Sequence, residues 1–374
     1  MLYLDHAATT PMRPEVWEAM APFATDRFGN SSGSHGESRR AKNALEAARE
    51  RAAELLGCAP AEIVFTGGGT EADNLAVKGA VLAGGRRGGV VTVATEHEAV
   101  LEAARFLERF GSDVEIVGVD GSGRVSADSV CAALRPGTAV VSVMAVNNET
   151  GTVQPLEEIV PAVRALDLDV VVHTDAIQAF PARDLDVARL DVDLLSLTGH
   201  KFGGPKGSGL LFVREGVNLE PVLHGGGQEL GRRSGTHDVM GAVGLVTAME
   251  LAHKDRNDFE SLIDAERRTF EARLSGLAHR TVPEELASIQ HSHLRFPGVR
   301  NETLLVRMDR RDLAASAASA CQSGANTVSH VLTAMGLDPD IARECLRFSF
   351  GWTTRPGDGE RAADLVKDAL EGLT

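Results

Sequence analysis

The chain has 374 residues, with 38 Lys and Arg against 53 Asp and Glu, for a formal net charge of −15. Hydrophobic residues make up 43% and charged residues 24%, the balance of a soluble globular protein with a large core. The acidity argues against phosphate-directed nucleic-acid binding and no apolar run can span a bilayer; MLYLDHAATT lacks the basic-then-apolar pattern of a secretory signal. We therefore expect a cytoplasmic protein with no membrane contact and no direct nucleic-acid partner.

In chain order, residues 39–57 carry Ala and Leu at helical spacing and stop at Gly57, a C-cap signal. Short β-branched runs follow: IVF at 63–65, VVTVA at 90–94, VEIVGV at 114–119, AVVSVMAV at 139–146, DVVVHT at 169–174 and LLSL at 194–197. Most are unbroken rather than alternating, as in strands buried on both faces of a parallel sheet. Helix-like stretches lie between several of them, at 98–110 and at 156–166, the latter interrupted by Pro161. This alternation predicts a doubly wound α/β domain. Glycines at 225–227 and 231–235 then precede a helical stretch at 238–254 and a charged helix-like region at 255–276. Strand-like LRF at 294–296 and TLLVRMD at 303–309 come next, followed by an Ala/Ser-rich run at 314–320 and an amphipathic helix at 358–372. We expect a large domain over 13–254 and a smaller α+β domain formed by 1–12 with 255–374.

Arg outnumbers Lys 32 to 6, so a lysine in an unusual setting stands out. The cysteines, Cys58, Cys131, Cys321 and Cys345, are widely spaced and form no CxxC pair, so neither a metal set nor a disulfide framework is expected.

The strongest local feature is SLTGHKFGGPKGSG at 196–209, where a buried-looking strand ends in Thr198-Gly199-His200-Lys201. Ligands of open α/β sheets sit beyond the carboxyl ends of strands, and a desolvated lysine there can form a Schiff base with an aldehyde cofactor. In FTGGGTEADNLAVKGA at 65–80, three glycines lead from a strand into a helix, a local anion site. HTDAIQ at 173–178 puts Asp175 at a strand end, where it could pair with a cationic ring nitrogen, and Gln178 close by. TEHEAVL at 95–101 and VNNETG at 146–151 place His97 and Asn148 at further strand ends. Taken singly, each residue has a bland alternative: a surface lysine, a tight turn, a helix cap, a structural imidazole, a turn amide. Together they set a lysine, an anion site, an acid, an imidazole and an amide along one edge of a sheet.

Those motifs resemble a pyridoxal phosphate (PLP)-dependent cysteine desulfurase of the class V aminotransferase family, and the resemblance covers nearly the whole chain. YLDHAATTP at 3–11, FGNSSGSH at 28–35, RSGT at 233–236, SAC at 319–321, SHVLTAMGL at 329–337 and LRFSFG at 346–351 fall in family order with those already named. Ser31 stands where the family usually has proline, GGGT replaces Ser-Gly-Ala-Thr, and AASAASAC replaces a Ser-Gly-Ser-Ala-Cys run.

The resemblance implies a fold-type-I PLP transferase: a mixed, mostly parallel sheet flanked by helices, a smaller α+β domain, and a homodimer. It implies that Lys201 binds PLP covalently, His97 stacks on the ring and moves protons, and Asp175 holds the ring nitrogen. Gln178 and Asn148 would contact the ring oxygen or substrate. Gly69, Thr70, Thr198 and His200 would grip the phosphate, joined by Thr236 reaching over from the partner subunit. Arg347 would clamp the carboxylate of L-cysteine, and Cys321 would take its sulfur as a persulfide for an acceptor or scaffold protein. Cys58, Cys131 and Cys345 are expected to be core fillers. A selenocysteine lyase or another PLP lyase or transaminase on the same fold, and a non-catalytic scaffold, are the alternatives left open by sequence.

Overall fold

The computed structural model describes residues 1–83, 88–317 and 328–373. Its centre is a seven-stranded sheet built from β2 (Ile63–Thr66), β3 (Gly89–Val93), β4 (Val114–Val117), β5 (Thr138–Ser142), β6 (Val171–Asp175), β7 (Leu194–Thr198) and β8 (Gly209–Val213). The order is β2-β8-β7-β6-β5-β3-β4, and only β8 runs against the others. The mixed, mostly parallel sheet expected from the unbroken apolar runs is therefore present.

Both faces are covered, which is why the strands lack polar alternation. On one face lie α3 (Gly69–Leu82) and α4 (Glu98–Glu108), with Leu75, Val81, Val100 and Leu107 buried against Val90, Val140, Leu194 and Leu211. On the other lie α1 (Pro14–Thr25), α2 (Gly36–Leu56), α5 (Ala127–Ala133), α6 (Leu156–Arg164), α7 (Val187–Leu190) and the first half of α8 (Val239–Arg273). Adjacent strand residues divide between the faces: in β7, Leu194 meets the α3 side while Leu195 and Leu197 meet the opposite core. The predicted stop of α2 at Gly57 is a left-handed cap with φ 71°.

A second core lies around a three-stranded antiparallel sheet of β9 (His279–Arg280), β10 (His291–Arg295) and β12 (Cys345–Ser349). The second half of α8, α9 (Asn301–Asp309) and α12 (Asp358–Leu370) bury Ile263, Leu304, Met308 and Val366 against it, and Phe270 packs 4.8 Å from Phe348 between ring centroids. Two short helices, α10 (His330–Ala334) and α11 (Pro339–Ala342), precede β12. The chain's first strand, β1 (Leu2–Tyr3), pairs in parallel with β11 (Leu313–Ala314), and Asp5 bridges to Ser349. No helix among the described residues is long and apolar enough to cross a membrane.

Three expectations change. TLLVRMD at 303–309 belongs to the helix α9 and not to a strand. Leu304 and Met308, four residues apart, share the buried face while Val306 is exposed, so the short apolar run was helical in its burial. The helical stretches 238–254 and 255–276 are one 35-residue helix, α8, whose charged second half is solvated outside and apolar inside. Residues 114–119 shorten to β4, an edge strand with Glu115 and Ile116 exposed.

Phe270, fully buried between α8 and β12, joins the helix to the small sheet. Phe270→Ala is expected to cost about 3–5 kcal/mol of stability, read as a lowered urea midpoint.

Candidate active site

The carboxyl ends of the parallel strands lie along one edge, and most of the predicted residues are found there, Thr236 and Cys321 excepted. Asp175 is the last residue of β6, Thr198 the last of β7, and Gly199–Lys201 form a 3₁₀ turn directly after it. His97 caps α4, and Gly68 and Gly69 carry β2 into α3. Asn148 follows β5 in a tight turn closed by the Asn147 side chain, whose Oδ1 accepts the amides of Glu149 and Thr150.

Asp175 is buried, and its Oδ1 accepts the Ile177 amide at 2.9 Å. Burial raises its pKa, while the charges of His97 and Lys201 and the Ile177 amide pull it back down. His97 accepts the Ala99 amide on Nδ1 at 3.1 Å, which leaves the proton of the neutral ring on Nε2. Burial lowers the pKa of His97, Asp175 opposes that shift, and Lys201 adds to it. The imidazole, the acid and the amine are thus electrically in contact.

Lys201 Nζ donates to the carbonyls of Ala7 at 2.6 Å and Ala8 at 2.9 Å. Gln178 Nε2 donates to the same Ala7 carbonyl at 2.9 Å. His200 contacts Thr9 Oγ1 through Nδ1 at 3.1 Å, and burial, then Lys201 and Lys206, push its pKa down to about 4, so it is neutral. Thr198 spends its hydroxyl on the Ser208 carbonyl at 2.8 Å. The N-terminal strip, whose role the residue patterns did not signal, therefore seats the lysine turn.

Glycines carry β2 into α3 through a conformation and a close approach that suit them. Gly68 has φ 142°, and a Cβ at Gly69 would collide with Ile177 Cδ1. The amides of Gly69 and Thr70 open the helix, where the first N–H groups have no intrahelical acceptor and the dipole favours an anion.

Arg347, in β12, is nearly fully buried. Its Nη1 donates to the Asn148 carbonyl at 2.7 Å and its Nη2 to Asp5 Oδ1 at 2.6 Å. Asn148 thus meets Arg347 through its backbone. Ser316 pairs with Arg347 along the backbone, Ser329 Oγ donates to Glu149 Oε2 at 2.5 Å, and His330 Nε2 lies 3.0 Å from the Glu96 carbonyl. The flanks of residues 318–327 are thereby fixed beside the site; Cys321 lies outside the described residues. Burial pushes the thiols of Cys58 and Cys345 up to about 12 and raises that of Cys131, which disfavours the thiolate at all three.

Thr236 is exposed and lines a separate cavity of about 110 Å³ with Thr66, Gly67, Gly207 and Arg233, on the outer side of the glycine turn. Its loop is anchored by Glu229, which accepts both Arg49 Nη1 at 2.7 Å and Nη2 at 2.8 Å and the Phe65 amide at 3.0 Å. Burial alone would raise the pKa of Glu229, but His237 and Arg49 outweigh it and bring the group to about 2. An acid depressed from 4.5 to about 2 stabilises the fold above 4.5 and loses that contribution as pH falls toward 2. Glu229→Gln is expected to cost about 3 kcal/mol at pH 7, a gap to wild type that shrinks between pH 4.5 and 2 in denaturant unfolding.

Residues 2–358 match the family model for class-V aminotransferases. The chain is 38% identical to the cysteine desulfurase IscS of Dictyoglomus turgidum over 382 residues, covering 100% of this chain and 95% of that protein. Among solved structures, a NifS-like protein aligns with a TM-score of 0.93 at 33% identity, covering 99% of each chain. The structure of SspA in complex with cysteine aligns with a TM-score of 0.83 at 39% identity, covering 94% of this chain and 99% of that one. With strand-end chemistry, sheet order and sequence matching along almost the full length, the protein belongs to the class-V aminotransferase family.

Proposed function

We propose that this protein is a PLP-dependent cysteine desulfurase that removes sulfur from L-cysteine, leaving L-alanine and a persulfide on Cys321. The observation that carries the reading is the gathering of the buried Asp175, Lys201, His97 and the Gly68–Thr70 turn at the carboxyl-end side of one sheet. The Asp175 Oδ1 accepts the Ile177 amide, and a buried carboxylate is costly without a cation to balance it. A cationic ring nitrogen relieves that cost, and the N-terminus of α3 beside it suits a phosphate. The residues present therefore fit PLP.

When bound, PLP supplies a carbonyl that joins the substrate amine and a ring that takes up the charge of a broken Cα–H bond. Asp175 holds the ring nitrogen protonated, and Gly69 and Thr70 receive the phosphate with Thr198 and His200 alongside. His97 flanks the ring, and Gln178 and Asn148 reach its oxygen or the substrate. Arg347 orients the substrate carboxylate as a planar fork. Lys201 Nζ, as a free amine, would accept the Cα proton and return a proton to the product. Cys321 Sγ, as thiolate, bonds to the substrate sulfur as the Cβ–S bond breaks, and the carbon skeleton keeps that electron pair until it is protonated to alanine. The persulfide then passes to a sulfur acceptor in iron–sulfur cluster, thio-cofactor or tRNA biosynthesis. We further propose a cytoplasmic homodimer, with Thr236 of each chain completing the other's phosphate site, and the division into residues 13–254 and 1–12 with 255–374.

With L-cysteine and a reductant, the PLP-loaded protein is expected to release alanine and sulfide. Cys321→Ala should lose sulfide release by at least about a hundredfold while keeping the cofactor absorbance. Lys201→Ala should lose the borohydride-sensitive part of that absorbance. Fully loaded protein that releases no sulfide would defeat the reading.

A further inference from the structure

Arg347 is buried and in this protein already has an anion. Its Nη2 lies 2.6 Å from Asp5 Oδ1, and its Nη1 lies 2.7 Å from the Asn148 carbonyl. A guanidinium so far from water is costly without a counter-ion. The Asp5 side chain is 21% exposed against 4% for Arg347, so the acid is the more solvent-accessible member of the pair.

Asp5 is held in place by its backbone. Its carbonyl accepts the Tyr3 hydroxyl at 3.0 Å and the Ala8 amide at 3.1 Å, while Ala7 donates to Ser349 Oγ at 2.8 Å. Two residues further on, the carbonyls of Ala7 and Ala8 receive Lys201 Nζ. Residues 5–8 thus present a carboxylate to the arginine and neutral acceptors to the lysine. Those are the two side chains that the proposed function directs at the carboxylate and the Cα of an amino acid.

We propose that Asp5 is a specificity-determining residue of the carboxylate subsite: in the substrate-free protein it is the counter-ion of Arg347, and an incoming carboxylate must compete with it for Nη2. The inference rests on the role given to Arg347 above. Asp5 orients the guanidinium through a hydrogen bond and opposes the substrate through its charge, and the two effects separate by substitution. Asparagine or serine keeps an acceptor oxygen and removes the charge. Glutamate keeps the charge. Alanine removes both, freeing the fork to turn away.

The test uses PLP-loaded wild type, Asp5→Asn, Asp5→Ser, Asp5→Glu and Asp5→Ala, with folding checked by thermal melt and the probes propionate and L-alanine titrated by calorimetry. Asp5→Asn or Asp5→Ser is expected to bind both probes roughly three- to tenfold more tightly than wild type. Asp5→Glu should stay within about twofold of wild type, and Asp5→Ala should bind more weakly. In turnover of L-cysteine, Asp5→Asn should lower KM by more than it changes kcat. Unchanged or weaker probe binding in every folded uncharged variant that keeps an oxygen would overturn the proposal. Because propionate binding is read without turnover, a failure of the desulfurase reading remains distinct from a failure of this one.

Discussion

The site is organised by a limit on negative charge. Asp175, Asp73 and Glu96 are all buried behind the strand ends, and the charge of Asp175 raises the cost of ionising the other two. Burial first, then Asp175, raises the pKa of both Asp73 and Glu96 well above the ordinary carboxylate value. Asp175 is the acid that faces His97 and Lys201, and the negative charge settles there. The polar floor beneath it is neutral as well: His173, two residues earlier on the same face of β6, lies between the hydroxyls of Ser142 at 2.8 Å and Ser196 at 3.0 Å. Burial brings its pKa down to about 3. One anion above a neutral floor is a directed demand for one cation.

The N-terminal strip connects that anion's surroundings to the second core. Leu2 and Tyr3 pair with β11, Asp5 meets Arg347, Ala7 and Ala8 hold Lys201, and Thr10 receives the Gly203 amide on its hydroxyl and donates its own amide to the His200 carbonyl. Fewer than a dozen residues thereby touch both Arg347 and Lys201. Their contribution is mostly backbone, which explains how a strip of small residues positions a lysine so closely.

Much of this was legible in sequence because it is local. A strand followed by glycines, or by Gly-His-Lys, states its geometry within a few residues, and Lys201, Asp175, His97 and Gly69 all emerged that way. What was not legible depends on distant contacts. Asp5 lies 342 positions from its partner Arg347, and nothing in YLDHAATTP reveals that its acid meets a guanidinium. Asp73 and Glu96 look like ordinary helix and loop acids until the sheet encloses them. The donation of the Thr198 hydroxyl to the Ser208 carbonyl likewise depends on β8 returning beside β7, which the motif at 196–201 does not state. TLLVRMD misled because seven residues cannot distinguish an apolar strand from one helical face.

Helix α8 has a consequence of its own. At 35 residues it is roughly 52 Å long, and each of its halves is a wall of a different core. A shared rod couples the two packed regions, because loss of either core uncovers one half of the helix that walls both.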